Sequence, residues 1–244
     1  MIEATKQRLA EMKLSGMLRA YQALQEPRSK AKGMTADEVI AHLVECEWSE
    51  RTSRKISGRL RQARLRLPAS FENIAFGAPR KIDRGLLMRL GECTWIRNAE
   101  NVIITGPTGA GKSYLACALG QRACLHDMKV MYFQTSKLFS ALSQAQADHS
   151  QGRLLGRIKR QHLIILDDFG LEPIAGEQKL KLFEILEDRY GIGSTVVVSQ
   201  VPTDKWHAVI KDATIADAIC DRLLHNAHSL KVDGPSMRSR TKSL

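Results

Sequence analysis

Eight consecutive residues, Gly106-Pro107-Thr108-Gly109-Ala110-Gly111-Lys112-Ser113, fit the pattern G-x-x-x-x-G-K-[ST]. Their types and spacing suit one task, holding the phosphates of a nucleoside triphosphate such as ATP. The glycines let the backbone curl so that N–H groups face phosphate oxygens. Lys112 can reach the outer phosphates, Ser113 can offer its hydroxyl to Mg2+, and Tyr114 follows directly as the last residue of the nucleotide-contacting stretch. A second group lies further on, where Leu163-Ile164-Ile165-Leu166 delivers the paired carboxylates Asp167 and Asp168. Asp167 suits the magnesium hydration shell, and Asp168 suits polarising an attacking water. Adjacent carboxylates repel unless metal, water or a donor compensates, which favours a site over an acidic turn.

Three further positions complete the set. Ser199 and Gln200 follow Val196-Val197-Val198, and either polar side chain can position water against the γ-phosphate; ordinary loop hydrogen bonding is the alternative. Arg222 has Ala218 and Asn226 four residues to either side, so it lacks an ordinary helical salt-bridge partner and is free to reach a neighbouring subunit's phosphate. The competing reading gives it a bond to Asp221 or Asp217, or leaves it exposed. Arg238, in Gly234-Pro235-Ser236-Met237-Arg238, would act on phosphates of its own subunit, or be part of a solvated cationic tail with Arg240 and Lys242.

These side chains need a scaffold, and the hydrophobic pattern supplies an α/β one. Val102 to Thr105, Val130 to Phe133, Leu163 to Leu166, Thr195 to Val198 and a short stretch around Leu230 read as strands. Helical segments separate them: the run after the loop, Ser136 to about Arg160, Lys179 to Tyr190, and Ala213 to Leu224. Apolar strands alternating with helices imply a parallel sheet covered by helices on both faces, with its ligand at the carboxyl ends of the strands. Residues 1–66 instead read as all helix, with a break at Pro27 to Gly33 and a capping box at Thr35-Ala36-Asp37-Glu38. Leu67-Pro68-Ala69-Ser70 ends that segment, giving a helical domain at 1–66 and a nucleotide-binding domain at 67–244.

Charge narrows the partners. The 244 residues carry 37 Lys and Arg against 26 Asp and Glu, a net +11, which suits a polyanion and nucleic acid first. Arg51, Arg54, Lys55, Arg59, Arg61, Arg64 and Arg66 form a run without an acid among them, read as phosphate-backbone contacts or as a solvated basic helix. The five cysteines, Cys46, Cys93, Cys117, Cys124 and Cys220, are scattered and unpaired in spacing, as expected of a reducing cytoplasm. No apolar run approaches a membrane span, and the N-terminus lacks a signal-peptide core, so a cytoplasmic protein is expected.

Taken together, Asn101 to Ser113, Leu163 to Gly170, Ser199-Gln200 followed by Pro202 and Trp206, and Gly234 to Arg238 resemble the IstB-type transposition helper ATPases. These are AAA+ proteins close to the DnaC-type helicase loaders, and the likeness spans nearly the whole chain. The resemblance implies an ATPase that assembles on duplex DNA as an ATP-dependent oligomer and delivers target DNA to a partner transposase. It further implies Lys112 and Ser113 as Walker A, Asp167 and Asp168 as Walker B, Ser199 or Gln200 as sensor 1, Arg222 as a trans-acting arginine finger and Arg238 as sensor 2. Many relatives have glutamate where Asp168 stands and an acid where Pro235 stands. The stretch from Lys137 to Arg160 corresponds to the helical insertion that related loaders use on DNA, with Lys137, Arg153, Arg157, Lys159 and Arg160 as phosphate contacts. A helicase loader shares all these parts and differs in its partner. A small-molecule kinase shares the P-loop and needs neither the paired acids nor the late arginines, and a passive ATP-binding switch would lack turnover.

Overall fold

The structure, a computed structural model, describes residues 1–26, 33–76 and 81–237. The chain divides into two compact units, Met1–Gly58 and Arg59–Leu244. The smaller unit is helical: α1 (Ile2–Glu11), α2 (Ser15–Leu24) and most of α3 (Ala36–Ala63), inside which the division falls. The capping box forms, with Thr35 N–H donating to Glu38 Oε2 at 2.7 Å and Glu38 N–H donating to Thr35 Oγ1 at 3.3 Å. Glu47 on α3 takes the amides of Gly16 and Met17 at 2.8 and 3.2 Å, satisfying donors that the first turn of α2 leaves open. Arg51, then those amides, hold the Glu47 carboxyl below its ordinary range against the opposing effect of burial. The break expected at Pro27 to Gly33 lies outside the described residues except for Gly33.

The larger unit continues with α4 (Arg84–Gly91), α5 (Thr94–Arg97), β1 (Asn101–Thr105), α6 (Lys112–Leu125), β2 (Val130–Gln134), α7 (Thr135–Ala147), α8 (Gln151–Lys159) and β3 (Leu163–Phe169). It ends with α9 (Glu177–Glu187), β4 (Ser194–Ser199), α10 (Trp206–Ile210), α11 (Ala213–Leu224) and β5 (Ala227–Lys231). All five strands pair in parallel, in the order β2-β3-β4-β1-β5. Strand side chains alternate between two cores. Val102, Ile104, Val130, Ile165 and Val198 pack with α4 and α6, whereas Ile103, Met131, Ile164, Leu166 and Val197 pack with α7, α9 and α11. The expected doubly covered parallel sheet is therefore the fold.

Two local features depart from the sequence pattern. The helical stretch expected from Ser136 to Arg160 is two helices, because Asp148 accepts from Ser150 N–H at 3.0 Å and His149 turns at φ 57°, an asparagine-type turn that interrupts the ladder. The segment before β1 forms α4 and α5, with Asp83 capping α4 by accepting Leu86 N–H at 2.9 Å. Among the described residues no helix is long and apolar enough to cross a membrane.

Candidate nucleotide site and basic cleft

The glycine loop joins the carboxyl end of β1 to the start of α6 and is roofed by the chain after β5. Val232 N–H donates to Thr105 O at 2.8 Å and Met237 N–H donates to Gly109 O at 2.9 Å. At two loop positions a side chain would collide with that roof. At Gly106, φ 150°, a Cβ would meet Val232 O at 2.0 Å; at Gly109, φ 83°, it would meet Ser236 Oγ at 2.4 Å. Either substitution would push the roof off the loop. Gly234, Pro235 and Ser236 thus form part of the site wall, and Arg238, the expected sensor 2 residue, lies outside the described residues.

Beneath the loop the chemistry converges. Lys112 is buried, with Nζ donating to Pro107 O at 2.8 Å. Ser113 Oγ donates to Asp167 Oδ1 at 3.1 Å, bringing the hydroxyl of one element and the carboxylate of another side by side. A hydroxyl beside a carboxylate is a hard oxygen pair of the kind Mg2+ selects, so these residues fit the metal and the triphosphate that the loop implies. Asp167 has no exposed surface and is held by Tyr132 OH at 2.5 Å and by Asp168 N–H at 2.9 Å. Burial first, then the bond to Asp167, pushes the Tyr132 phenol far up, so it stays a donor.

Asp168 owes its position to a bulge. Leu166 pairs with Val197 and Phe169 with Ser199, so β3 carries one residue more than β4 between those pairs, and Asp168 adopts φ 58°. The extra residue turns its carboxylate toward β2, where Gln134 Nε2 donates to Oδ2 at 3.1 Å. Arg66 NH1 lies 3.3 Å from the same Asp168 oxygen and 3.8 Å from Asp167 Oδ2. The Tyr132 hydroxyl, then the two aspartates, strengthen the hold of Arg66 on its proton.

The structure separates the two residues that follow β4. Ser199 is fully buried; its hydroxyl donates to Phe169 O at 2.7 Å and accepts from Val201 N–H at 3.0 Å, so it braces the bulge. Gln200 is exposed and accepts from Thr108 Oγ1 at 2.5 Å, which places it on the phosphate loop. Tyr114, by contrast, points its hydroxyl at Ser70 O, 3.4 Å away.

Arg222 differs from the expectation of an unpartnered guanidinium. Nε donates to Glu187 at 2.7 Å, NH1 donates to Asp221 at 2.6 Å, and the guanidinium sits over the Tyr190 ring, 4.6 Å from its centroid. The main partner comes from α9, so helix spacing alone could not reveal it. Asp217, the other candidate, pairs with His207 at 2.8 Å instead. Arg222 stands at the amino edge of the sheet, since its carbonyl accepts from Asn101, the first residue of β1.

The basic run is also partly paired. Arg51 bonds Glu47 at 2.6 Å, Arg54 bonds Glu50 at 3.1 Å, Arg59 bonds Asp127 and Lys159 bonds Asp188 at 3.2 Å. Lys55, Arg61, Arg64, Lys137, Arg153, Arg157 and Arg160 are exposed and form no ion pair among the described residues. Within the larger unit, Arg61 and Arg64 meet Arg157 around a cleft of about 430 Å3, together with Gln62 and Gln161. Two stretches far apart in sequence therefore share one cationic cleft.

Arg66 stands at the paired aspartates and not only in the basic run, and Tyr132 and Gln134 join it there without any signal in the sequence. Arg66 was hidden in the basic run, and the other two become visible once β2 is known to lie beside β3.

A sequence profile of the family described as IstB-like ATP-binding proteins matches residues 7–244. A relative described as an insertion sequence ATP-binding protein, from Sinorhizobium fredii, is 43% identical over 234 residues, covering 96% of this chain and 95% of its own. The corresponding protein of insertion sequence IS21 from Pseudomonas aeruginosa is 30% identical, covering 96% and 88%. Among solved structures, DnaI superposes with a TM-score of 0.58 at 19% identity, covering 69% of this chain and 90% of that one. The DnaC helicase loader gives 0.53 at 16%, covering 67% and 96%. These likenesses show the P-loop AAA+ fold. With a profile match that runs through the glycine loop, the paired aspartates and the roof segment alike, the chain belongs to the IstB-like ATP-binding protein family.

Proposed function

We propose that the chain is a Mg2+-dependent ATPase of the cytoplasm that assembles on duplex DNA and assists the transposase of its insertion sequence. The observation that carries the ATPase reading is the contact between Ser113 and Asp167 at 3.1 Å directly below the glycine loop. Bound there, Mg2+ would neutralise charge on the phosphates as it develops. The protein's own groups do the rest. Loop amides and Lys112 grip the phosphates, Asp168 takes a proton from the attacking water, and Gln200, already on Thr108, orients that water.

Arg222 acts between subunits. A five-residue strand spans about 17 Å, and Arg222 stands at the opposite end of β1 from the glycine loop, so the phosphates it reaches belong to another copy. The Arg61, Arg64 and Arg157 cleft supports DNA contact through phosphates, with Lys137, Arg153 and Arg160 free to extend it and the helical segment at 1–66 free to add DNA or partner contacts. Relatives named for insertion sequences support a transposase as the client.

The test is ATP turnover alone, with single-stranded DNA and with long duplex, at fixed moderate salt, followed by capture of the cognate transposase. Stimulation by duplex that fades steeply with salt is expected. Preference for single strands together with capture of a hexameric helicase would replace this reading with a helicase loader; phosphate transfer to a small acceptor, indifferent to DNA, would replace it with a kinase.

A further inference from the structure

We propose that Arg66 is a latch on the Walker B carboxylates, released when DNA phosphates engage the basic cleft that ends two residues before it. The inference rests on the DNA-stimulated ATPase reading above and deepens it. Asp168 Oδ2 accepts from Gln134 at 3.1 Å and faces Arg66 at 3.3 Å, so one of the two carboxylate oxygens able to take a proton from water is covered by two donors, and the Arg66 charge opposes a proton arriving at either. The same guanidinium is 3.8 Å from Asp167 Oδ2, and a fixed cation there competes with a divalent ion for that carboxylate. Asp167 keeps its bonds to Tyr132, Ser113 and the Asp168 amide without Arg66, so Arg66 is not required to satisfy it.

The position of Arg66 in the chain supplies the coupling. Arg61 and Arg64 line the cleft with Arg157, Arg64 turns out of α3 at φ 52°, and Leu65 packs against the core beside Gly120. Arg64 and Arg66 thus flank one anchored residue, the first facing the cleft and the second the catalytic pair. The Arg66 side chain is 43% exposed, which leaves it room to swing away. Phosphates drawn to Arg61 and Arg64 shift the turn about Leu65, withdraw the guanidinium and free Asp168 and Asp167 together.

The experiment measures ATP turnover of full-length wild type, Arg66→Gln and Arg66→Lys, without DNA and with long duplex, across a Mg2+ titration. Binding of a fluorescent ATP analogue without Mg2+ is followed in parallel as a check on folding. Arg66→Gln should raise DNA-free turnover about fivefold, the effect of losing one partly exposed ion pair, while lowering the Mg2+ needed for half-maximal rate and shrinking the duplex stimulation ratio. Arg66→Lys, which keeps the charge without the planar fork, should fall between the two, and it carries the comparison if Arg66→Gln binds nucleotide poorly. DNA-free turnover that drops in both variants with an unchanged stimulation ratio would overturn the latch and make Arg66 a positioning residue for Asp168. A wild type indifferent to duplex would overturn the DNA reading instead, and the DNA-free rates would still decide whether Arg66 restrains the pair.

Discussion

The two edges of the sheet use polar side chains in opposite ways. At the amino edge, Arg189 is 1% exposed and gives its guanidinium to three main-chain carbonyls, Ile158 at 2.9 Å, Gln161 at 2.7 Å and Ser194 at 2.7 Å. Burial draws its pKa down to about 10, which still leaves it charged at neutral pH. Asn101 likewise spends its amide on Arg222 O at 2.9 Å and on Thr195 N–H at 2.9 Å. At the carboxyl edge, side chains bond side chains: Ser113 with Asp167, Gln134 and Arg66 with Asp168, and Thr108 with Gln200. Carbonyls of the backbone cannot leave, so bonds to them fasten the fold; side chains that satisfy each other can exchange that partner for a phosphate, a metal or water. One sheet thus carries a fastened cluster around Arg189 at one edge and an exchangeable cluster around the paired aspartates at the other.

That contrast is broken most severely by mutations that trade the two behaviours. Asp167→Asn should cut ATP turnover about 100-fold or more while leaving the thermal midpoint within a few degrees, because it removes a group used with bound ligand. Steady-state kinetics beside calorimetry decides it, and a large loss of stability would show that the carboxyl edge is fastened as well. Arg189→Met should do the reverse, costing on the order of 3 kcal/mol, or about 10 °C in midpoint, because three buried carbonyls lose their donor, while nucleotide still binds in the cold. A cost below about 1 kcal/mol would mean that water replaces the guanidinium.

The contrast sharpens within two adjacent residues. Gln200→Ala should slow turnover about tenfold with little change in stability, and Ser199→Ala should cost about 1–2 kcal/mol with turnover retained. The opposite outcome would exchange their roles. The smallest effect belongs to His162 at the amino edge, whose Nδ1 accepts Lys129 N–H at 2.9 Å and must be neutral to do so. Burial first, then Lys129, Arg189 and Arg59, lower its pKa below 6.5, so the folded state binds a proton less readily than the unfolded chain. Its contribution is therefore present above about pH 6.5 and lost as pH falls through the lowered folded value. Thermal midpoints of wild type and His162→Gln between about pH 5 and 8 should converge on the acid side; parallel curves would remove His162 from that role.

Much of this was legible in the residues. The strands follow β-branched apolar runs, the capping box at Thr35 and Glu38 forms, and the glycine loop sits between strand and helix. The less legible parts share a cause. Arg222 is engaged by Glu187, 35 residues away, and Gln200 meets Thr108 across 92 residues. Arg66 reaches Asp168 across 102 residues and looked like one more member of a basic run. The bulge at Asp168 shifts the pleat of β3 by one residue, and no periodicity in Leu163 to Phe169 announces it.

The sequence by itself determined the glycine loop, the hydroxyl and carboxylate at the ends of their elements and the parallel sheet, because each is written in backbone preferences and side-chain periods that act over a few residues. Only the tertiary structure decided which side chains cover the paired aspartates, which of Ser199 and Gln200 faces the loop, and that Arg61, Arg64 and Arg157 share a cleft. Those outcomes depend on β2 lying beside β3, on one extra residue in β3, and on where α3 ends against the sheet, and such long-range packing leaves no local signature in the chain.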